Sequence, residues 1–190
     1  MYFTDTHCHL NFNSYQQNIN KVVDNALENG VNRIIVPGLD LETSEIAVEL
    51  ASRFECIYAA IGVHPSDIQK YQSDQFNSFE KLASEKKVVA IGEIGLDLFH
   101  HPESLKDQLE VLEAMLDLAN SSNKPVILHS RHSLDLLVEK ITKWELSQES
   151  RKLQYQGVFH SFEGSYSDIE NVRKLGMFIG IGGPITFRNA

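Results

Sequence analysis

The chain has 190 residues, 42% hydrophobic and 23% charged, which is the balance of an ordinary globular protein with a sizeable core. Its formal net charge of −9 argues against stable, non-specific nucleic-acid binding through a basic face, although bound metal ions can still meet a phosphate locally. No apolar run is long enough to cross a bilayer, and the N-terminus lacks the basic and apolar regions of a secretory signal. We therefore expect a cytoplasmic protein with no membrane partner. We also expect Cys8 and Cys56 to be buried thiols, since two cysteines make no disulfide framework.

Short β-rich apolar runs alternate with amphipathic segments, without a linker or a change of composition, so we predict one domain over residues 1–190. The predicted strands are Tyr2–His7, Arg33–Pro37, Ile57–Val63, Val88–Ile94, Pro125–His129, Gln156–His160 and Met177–Ile181. The predicted helices are Tyr15–Asn29, Leu41–Ser52, Phe76–Ser84, Ser104–Asn120, Ser133–Lys143 and Ser167–Lys174. Gly30 is predicted to cap the end of the first helix, and Asp40 the start of the second.

This alternation is typical of βαβ units and a parallel sheet, which leaves a barrel or an open doubly wound sheet. Candidate functional side chains stand at or just beyond the ends of many successive strands, which favours convergence at the top of a (β/α)₈ barrel. An open sheet gathers its site at a switch point from fewer strands. We therefore predict an α/β barrel of the TIM type. A complete one needs about 250 residues, so we expect it to be truncated after the seventh strand.

The first candidate site is the run Asp5-Thr6-His7-Cys8-His9. On a strand, His7 and His9 would share a face, and two imidazoles on one face can bind one metal ion. Asp5 would point the same way and could orient a histidine. The alternative is a strand with two incidental histidines.

The second candidate is Glu93, inside the apolar run that begins at Val88. A carboxylate there is costly unless it is paired or bound to metal, and the flanking Gly92 and Gly95 let backbone pack closely around it. The alternative is a carboxylate turned to solvent at the strand end.

Two further apolar runs end in histidine, at His129 and at His160. A single histidine there is more often a hydrogen-bonded core residue than a ligand. Two of them, together with the His-x-His pair and Glu93, predict a site for Zn²⁺, Mn²⁺ or a similar divalent ion.

Five short motifs follow one another along the chain: His7-Cys8-His9, Gly62-Val63-His64-Pro65, Gly92-Glu93-Ile94-Gly95-Leu96-Asp97, His129-Ser130-Arg131 and His160-Ser161-Phe162. In this order and at this approximate spacing they resemble the TatD DNase family, which is similar to the wider amidohydrolase superfamily. The resemblance extends over essentially the whole chain.

The resemblance implies a role for each matching residue. His7 and His9 would bind a first metal ion, Glu93 would bridge two ions as a catalytic residue, and His129 and His160 would bind the second. His64 would contact the substrate phosphate as a second catalytic residue, and Arg131 is a candidate phosphate contact that could equally be a solvated arginine. Three other histidines match no ligand position: His100, His101 and His132.

The family also places a metal-binding, catalytic Asp at the end of an eighth strand, and we expect that strand, its helix and that ligand to be absent from residues 1–190. Open sheet edges would then favour aggregation or pairing. The chain would be a fragment, a truncated product or one completed by a partner subunit, and its oligomeric state stays open.

The resemblance implies phosphodiester hydrolysis at DNA or RNA ends, by water activated between two divalent ions roughly 3.5–4 Å apart, with Zn, Mn, Mg, Ni and Co as candidates. One alternative is hydrolysis of amides or esters, including aminoacyl esters, on the same metal site. Another is an inactive, truncated remnant that binds metal or nucleotide weakly.

Overall fold

The computed structural model describes residues 2–146 and 153–188. Within these residues, seven strands form one sheet, and every neighbouring pair is parallel. The strands are β1 (Phe3–Asp5), β2 (Val31–Pro37), β3 (Ile57–Ile61), β4 (Val88–Asp97), β5 (Val126–Arg131), β6 (Gly157–Phe159) and β7 (Met177–Ile179). All seven predicted strands are confirmed, with ends that differ by a few residues.

In the part of the chain that the structure describes, seven α-helices connect these strands: α1 (Asn13–Gln16), α2 (Ile19–Glu28), α3 (Leu41–Arg53), α4 (Phe76–Ala83), α5 (Leu105–Ser121), α6 (Leu134–Leu146) and α7 (Tyr166–Lys174). Short 3₁₀ turns lie at Ile68–Lys70, Ser73–Gln75, Pro102–Ser104 and Gly183–Thr186. The first predicted helix is wrong in one respect. It is divided into α1 and α2 because Asn18 leaves the helical conformation, with φ −127° and ψ 12°.

The strands lie in the sheet in the same order as in the chain, from β1 to β7. A doubly wound sheet reverses its strand order at a switch point, and this sheet has no reversal. Sequential parallel strands joined by right-handed crossovers place the helices on one face, so the sheet curls as in a (β/α)₈ barrel. Within the described residues, β1 and β7 are the two edges. The predicted TIM-type fold, present through its seventh strand, is confirmed.

Apolar side chains on the two faces of the sheet form separate clusters. The larger cluster packs between the strands and the helices, and it includes Ile34, Ile61 and Leu128. The smaller one contains Ala60, Ala90 and Ile127, with Ile35 and Val158 packed against them. Because neighbouring residues of a strand point to opposite faces, the smaller cluster fills the inside of the curled sheet.

The predicted helix caps are both confirmed. The Asp40 carboxylate accepts a 2.8 Å hydrogen bond from the backbone N–H of Thr43 at the start of α3, and the Thr43 hydroxyl reaches back to the Asp40 backbone N–H at 3.0 Å. Gly30 follows α2 with φ 84°, a left-handed conformation that favours glycine.

Cys8 and Cys56 are free thiols, as predicted, but each is half-buried rather than buried. Burial raises the pKa of Cys8 to about 11, so the neutral thiol persists at neutral pH. Within the described residues, no helix has both the length and the hydropathy that crossing a membrane requires.

Candidate metal centre

The predicted ligands meet at the C-terminal ends of the strands, around a cavity of about 600 Å³. His129 stands two residues after Ile127, an inner-face residue of β5, and His160 stands two residues after Val158 of β6. Side chains two apart on a strand share a face, so both imidazoles continue the inner face of the sheet toward its open end.

His7 and His9 converge, but not because they lie on a strand. β1 ends at Asp5, and both histidines belong to the loop beyond it. Their Nε2 atoms are 3.1 Å apart, and the Nε2 atoms of His7 and His9 lie 3.0 and 3.7 Å from Glu93 Oε2. The prediction for Asp5 is wrong: it is exposed, and its carboxylate accepts from the backbone N–H of His7 at 3.1 Å instead of orienting a ring.

Glu93 is the centre of the site, and only 3% of its surface is exposed. The alternative of a carboxylate turned to solvent is therefore wrong. Gly92 and Gly95 allow β4 to approach β5 closely, because a Cβ at Gly95 would lie 2.0 Å from the His129 carbonyl oxygen and one at Gly92 would lie 2.6 Å from the Ile127 side chain. Burial alone would raise the pKa of Glu93, but hydrogen bonds with His129 and His7 hold that pKa well below its usual range.

The other oxygen of Glu93 faces a second group of histidines. His129 Nδ1 lies 3.1 Å from Glu93 Oε1, and His64 Nε2 lies 3.9 Å from the same atom. The rings of His64 and His129 meet edge to face, with their centroids 4.3 Å apart. Each carboxylate oxygen of Glu93 thus contacts its own histidine pair.

His64 belongs to this group by distance, but its proton is in the wrong place for a ligand. The backbone N–H of Ser66 donates to His64 Nδ1 at 3.1 Å, so in the neutral ring the proton resides on Nε2, the atom that faces Glu93. Burial lowers the pKa of His64 to about 4, so the ring is neutral near pH 7. His64 therefore presents an N–H donor to the cavity.

His160 and Arg131 line the same cavity, outside the two close groups. The His160 ring stacks on His7 with centroids 3.4 Å apart, and burial lowers the pKa of His160 to about 4. Arg131 donates to Glu163 at 2.9 Å and lies 5.4 Å from the centroid of the Phe99 ring. Arg131 also lines an adjoining cavity of about 860 Å³, which opens along the β7 edge.

Asp97, at the end of β4, is a site residue that the sequence analysis did not identify. It is 2% exposed, and its Oδ2 lies 3.4 Å from His129 Nε2. The sequence signal was an acidic residue closing an apolar strand four positions after Glu93. His100 also contacts Asp97, whereas His101 pairs with Glu103 at 3.7 Å and the His132 ring packs on Phe99.

The residues fit divalent ions by distance and by chemistry. Ligand atoms about 2.0–2.1 Å from a tetrahedral zinc ion lie roughly 3.3 Å apart, close to the 3.0–3.7 Å separations among His7, His9 and Glu93. Metal ligation needs neutral imidazoles and an ionised carboxylate, and burial lowers the pKa of His9 while Glu93 stays ionised. His7, His9 and Glu93 gather their ligand atoms within 4.8 Å of one another, and so do Glu93 and His129 together with His64, which faces them as a donor.

A buried carboxylate between two histidine pairs, at the C-terminal ends of sequential parallel strands, is the arrangement expected of a metal-dependent hydrolase built on a barrel. A family model described as TatD related DNase matches residues 4–190. The uncharacterized metal-dependent hydrolase YabD of Bacillus subtilis is 36% identical over 187 residues, which are 98% of this chain and 71% of that protein. This chain therefore belongs to the TatD family of metal-dependent hydrolases.

Relatives with solved structures and with named activities agree with this assignment. The crystal structure of YjjV, a TatD homolog from Escherichia coli K12, superposes with a TM-score of 0.89 at 35% identity, and the match covers 99% of this chain and 71% of that one. A protein of Klebsiella pneumoniae named 3'-5' ssDNA/RNA exonuclease TatD is 31% identical over 179 residues, 94% of this chain and 66% of that protein.

Proposed function

We propose that residues 1–190 form one catalytic unit of a nuclease that removes nucleotides from the ends of DNA or RNA with two divalent ions. The observation that carries this proposal is the position of Glu93, whose two oxygens each contact a separate histidine pair in a buried site. A carboxylate shared in this way suits a bridge between two ions, and paired ions are typical of enzymes that hydrolyse phosphodiesters.

In this proposal His7, His9 and Glu93 hold one ion, and Glu93, His129 and His160 hold the other. When bound, divalent ions such as Zn²⁺, Mn²⁺, Mg²⁺, Ni²⁺ or Co²⁺ would supply positive charge for the phosphate and lower the pKa of a water molecule. His160 is included because it lines the same cavity as Glu93 and His129, and its Nε2 contacts the Ser161 hydroxyl at 3.3 Å.

His64 acts in this proposal as a hydrogen-bond donor and not as a ligand. Its protonated Nε2 faces the cavity, and the neutral ring can donate to a phosphoryl oxygen without giving up its proton. A fixed donor of this kind stabilises the charge that develops in the transition state, because no solvent has to reorganise. Arg131, at the rim of the same cavity, is the proposed contact for a neighbouring phosphate.

Nucleic-acid ends are the proposed substrate because relatives about 30% identical are named 3'-5' ssDNA/RNA exonucleases. The net charge of −9 favours local recognition of a strand end over stable, non-specific binding. The location in the cytoplasm stays a prediction from the sequence.

End-labelled single-stranded DNA and RNA, incubated with Zn²⁺-, Mn²⁺- or Mg²⁺-loaded protein, test the proposal. We expect stepwise shortening by the wild type, its loss in Glu93→Gln, and wild-type activity in Glu85→Gln, since Glu85 is exposed and precedes the start of β4, whereas the site lies at the C-terminal ends of the strands. Carboxyl esters, aminoacyl esters and cyclic amides are assayed in parallel. Turnover of one of these instead of phosphodiesters would contradict the proposed substrate, and no turnover with any ion would favour an inactive remnant.

A further inference from the structure

Asp97 lies directly behind His129, on the side of the ring away from Glu93. His129 Nδ1 contacts Glu93 Oε1 at 3.1 Å, and Nε2 of the same ring lies 3.4 Å from Asp97 Oδ2. Within the described part of the chain, this buried Nε2 has no hydrogen-bond partner of good geometry. One imidazole therefore stands between two buried carboxylates, each facing a different ring nitrogen.

The Asp97 carboxylate is itself held in a fixed position. Its Oδ1 accepts from the backbone N–H groups of Phe99 at 3.0 Å and His100 at 2.8 Å, and its Oδ2 contacts His100 Nδ1 at 2.8 Å. These three contacts hold the Asp97 carboxylate with Oδ2 facing the His129 ring.

A second buried polar residue fixes the backbone of the same turn. The Gln108 side chain, on α5, accepts from the Asp97 N–H at 2.8 Å and donates to the carbonyl oxygens of Asp97 at 3.1 Å and His101 at 2.8 Å. The turn between β4 and α5 is therefore held from both sides. This rigidity is typical of a group that orients another side chain.

We propose that Asp97 is a positioning residue for metal binding: it accepts the Nε2 proton of His129 and leaves Nδ1 free to face Glu93 and an ion, while His100 holds Asp97 from the solvent side. The inference rests on the proposed metal site and goes beyond the family's ligand set. A ligand histidine needs its proton on the nitrogen that does not bind the ion, and an acceptor behind that nitrogen fixes both tautomer and ring orientation.

Asp97→Asn is the most discriminating variant, because it removes the acceptor oxygen behind His129 but keeps the shape of the side chain. The amide oxygen can still accept from the N–H groups of Phe99 and His100, so the turn is retained. The amide nitrogen then replaces Oδ2 and donates toward His129 Nε2, which drives the ring proton to Nδ1, the atom that must bind the ion. We expect the affinity for Zn²⁺ to fall about 10–100-fold, as for other residues that support a metal ligand.

Zn²⁺ affinity is measured by competition with a chromophoric chelator, in the wild type, in Asp97→Asn and in the charge-matched control Asp117→Asn on the exposed face of α5. The wild type and the control should bind alike. Equal affinity in Asp97→Asn and the control would overturn the positioning role and leave the proposed function standing. A wild type that takes up no ion would overturn the proposed function and this inference with it.

Nitrogen-15 NMR of the histidine rings tests the inference without a variant, so it also serves if Asp97→Asn does not fold. In Zn²⁺-loaded wild type we expect the His129 proton on Nε2, and finding it on Nδ1 would overturn the proposal. His100→Ala should weaken Zn²⁺ binding less than Asp97→Asn, and should cause no further loss in the Asp97→Asn background, because His100 acts through Asp97. A full additional loss there would overturn the role of His100.

Discussion

His7 and His129 reach Glu93 from opposite sides at almost equal distances, 3.0 and 3.1 Å, but the protein supports the two rings differently. The outer nitrogen of His7 is buried without a hydrogen-bond partner in the described residues, and its ring is held by stacking on His160. The outer nitrogen of His129 faces the fixed carboxylate of Asp97. One side of the site is held by packing and the other by charge.

The main chain differs in the opposite sense: near His7 it is anchored by a side chain, and near His129 it is not. The loop that carries His7 and His9 is anchored by Asn11, which is buried and donates to the carbonyl oxygens of Pro37 at 2.9 Å and Thr43 at 3.0 Å. His129 needs no such anchor because it lies within β5. A loop ligand therefore gains precision from its main chain, and a strand ligand gains it from a residue behind the ring. The two sides should respond differently to substitution.

The largest effect is expected from removing a ligand on the His7 side of the site, the side that is held by packing. His7→Gln removes an imidazole from the His7–His9–Glu93 group, and the amide it introduces is a poor ligand for zinc. We expect the metal content of the Zn²⁺-loaded protein, measured by elemental analysis, to fall from about two ions per chain to about one, with loss of more than about 100-fold in activity. Unchanged metal content would show that the bound ions are held without His7, by Glu93, His129 and His160.

His64 tests the His129 side of the site, because it contacts Glu93 without being a proposed ligand. We expect His64→Ala to lower kcat about 10²–10³-fold, the cost of losing one fixed donor, while the metal content stays at the wild-type value. His64→Gln, whose amide N–H can replace the Nε2 donor, should recover part of that loss. A fall in metal content in His64→Ala would instead make His64 a ligand of the second ion.

The same comparison shows which parts of the molecule were predictable. The strands followed from short apolar runs, because a buried strand has to be apolar wherever helices cover it. Their order followed from the regular alternation of these runs with amphipathic helices. Glu93 was identifiable because a carboxylate inside such a run needs a compensating partner. The convergence of His129 and His160 followed from their equivalent places at the ends of neighbouring strands.

The supporting contacts were not predictable in the same way. His7 and His9 were placed on a strand, but they converge from a loop whose path depends on Asn11 and β2. Asp97 supports His129 only because β4 and β5 pair with Gly95 opposite His129, a register that sequence spacing does not contain. The tautomer of His64 depends on a turn at Ser66. Each of these contacts is set by tertiary packing.

Ion binding should also stabilise the fold, since the ligands of the two ions tie separate segments of the chain to Glu93. At a free Zn²⁺ concentration of 100 times the Kd, binding to the native state alone contributes about 2.7 kcal/mol to the free energy of unfolding. For a chain of this size that is roughly 5–10 °C in Tm, measured by thermal denaturation with Zn²⁺ and with excess chelator. His7→Gln should show a smaller shift. Equal shifts in the two proteins would place the stabilising ion on the His129 side alone.

The smallest effect is expected at Asp40, which lies outside the ligands but supports the loop next to His64. The Asp40 carboxylate caps α3 and accepts from Lys70 Nζ at 2.7 Å, and Lys70 also contacts Asp67 at 2.8 Å. Asp40→Ala should lower the free energy of unfolding by about 1 kcal/mol, mostly through the lost cap. The Lys70 side chain is 61% exposed, so the ion pair adds little. Zn²⁺ affinity should not change. A change would mean that the His129 side of the site depends on Asp40 as well as on Asp97.

The pH dependence of this effect has a definite sign. Burial would raise the pKa of Asp40, but the hydrogen bonds from Lys70 and Thr43 outweigh it and lower that pKa below 3.8. The stability from the ionised carboxylate is therefore present above pH 3.8 and is lost as the pH falls through the folded-state pKa. In urea denaturation at a series of pH values, the gap between wild type and Asp40→Ala should narrow below about pH 4. Asp40→Asn, which keeps a capping oxygen without the charge, should retain most of the stability at pH 7 and lack this narrowing. A gap that stays constant down to pH 3 would show that the cap does not depend on the charge of Asp40.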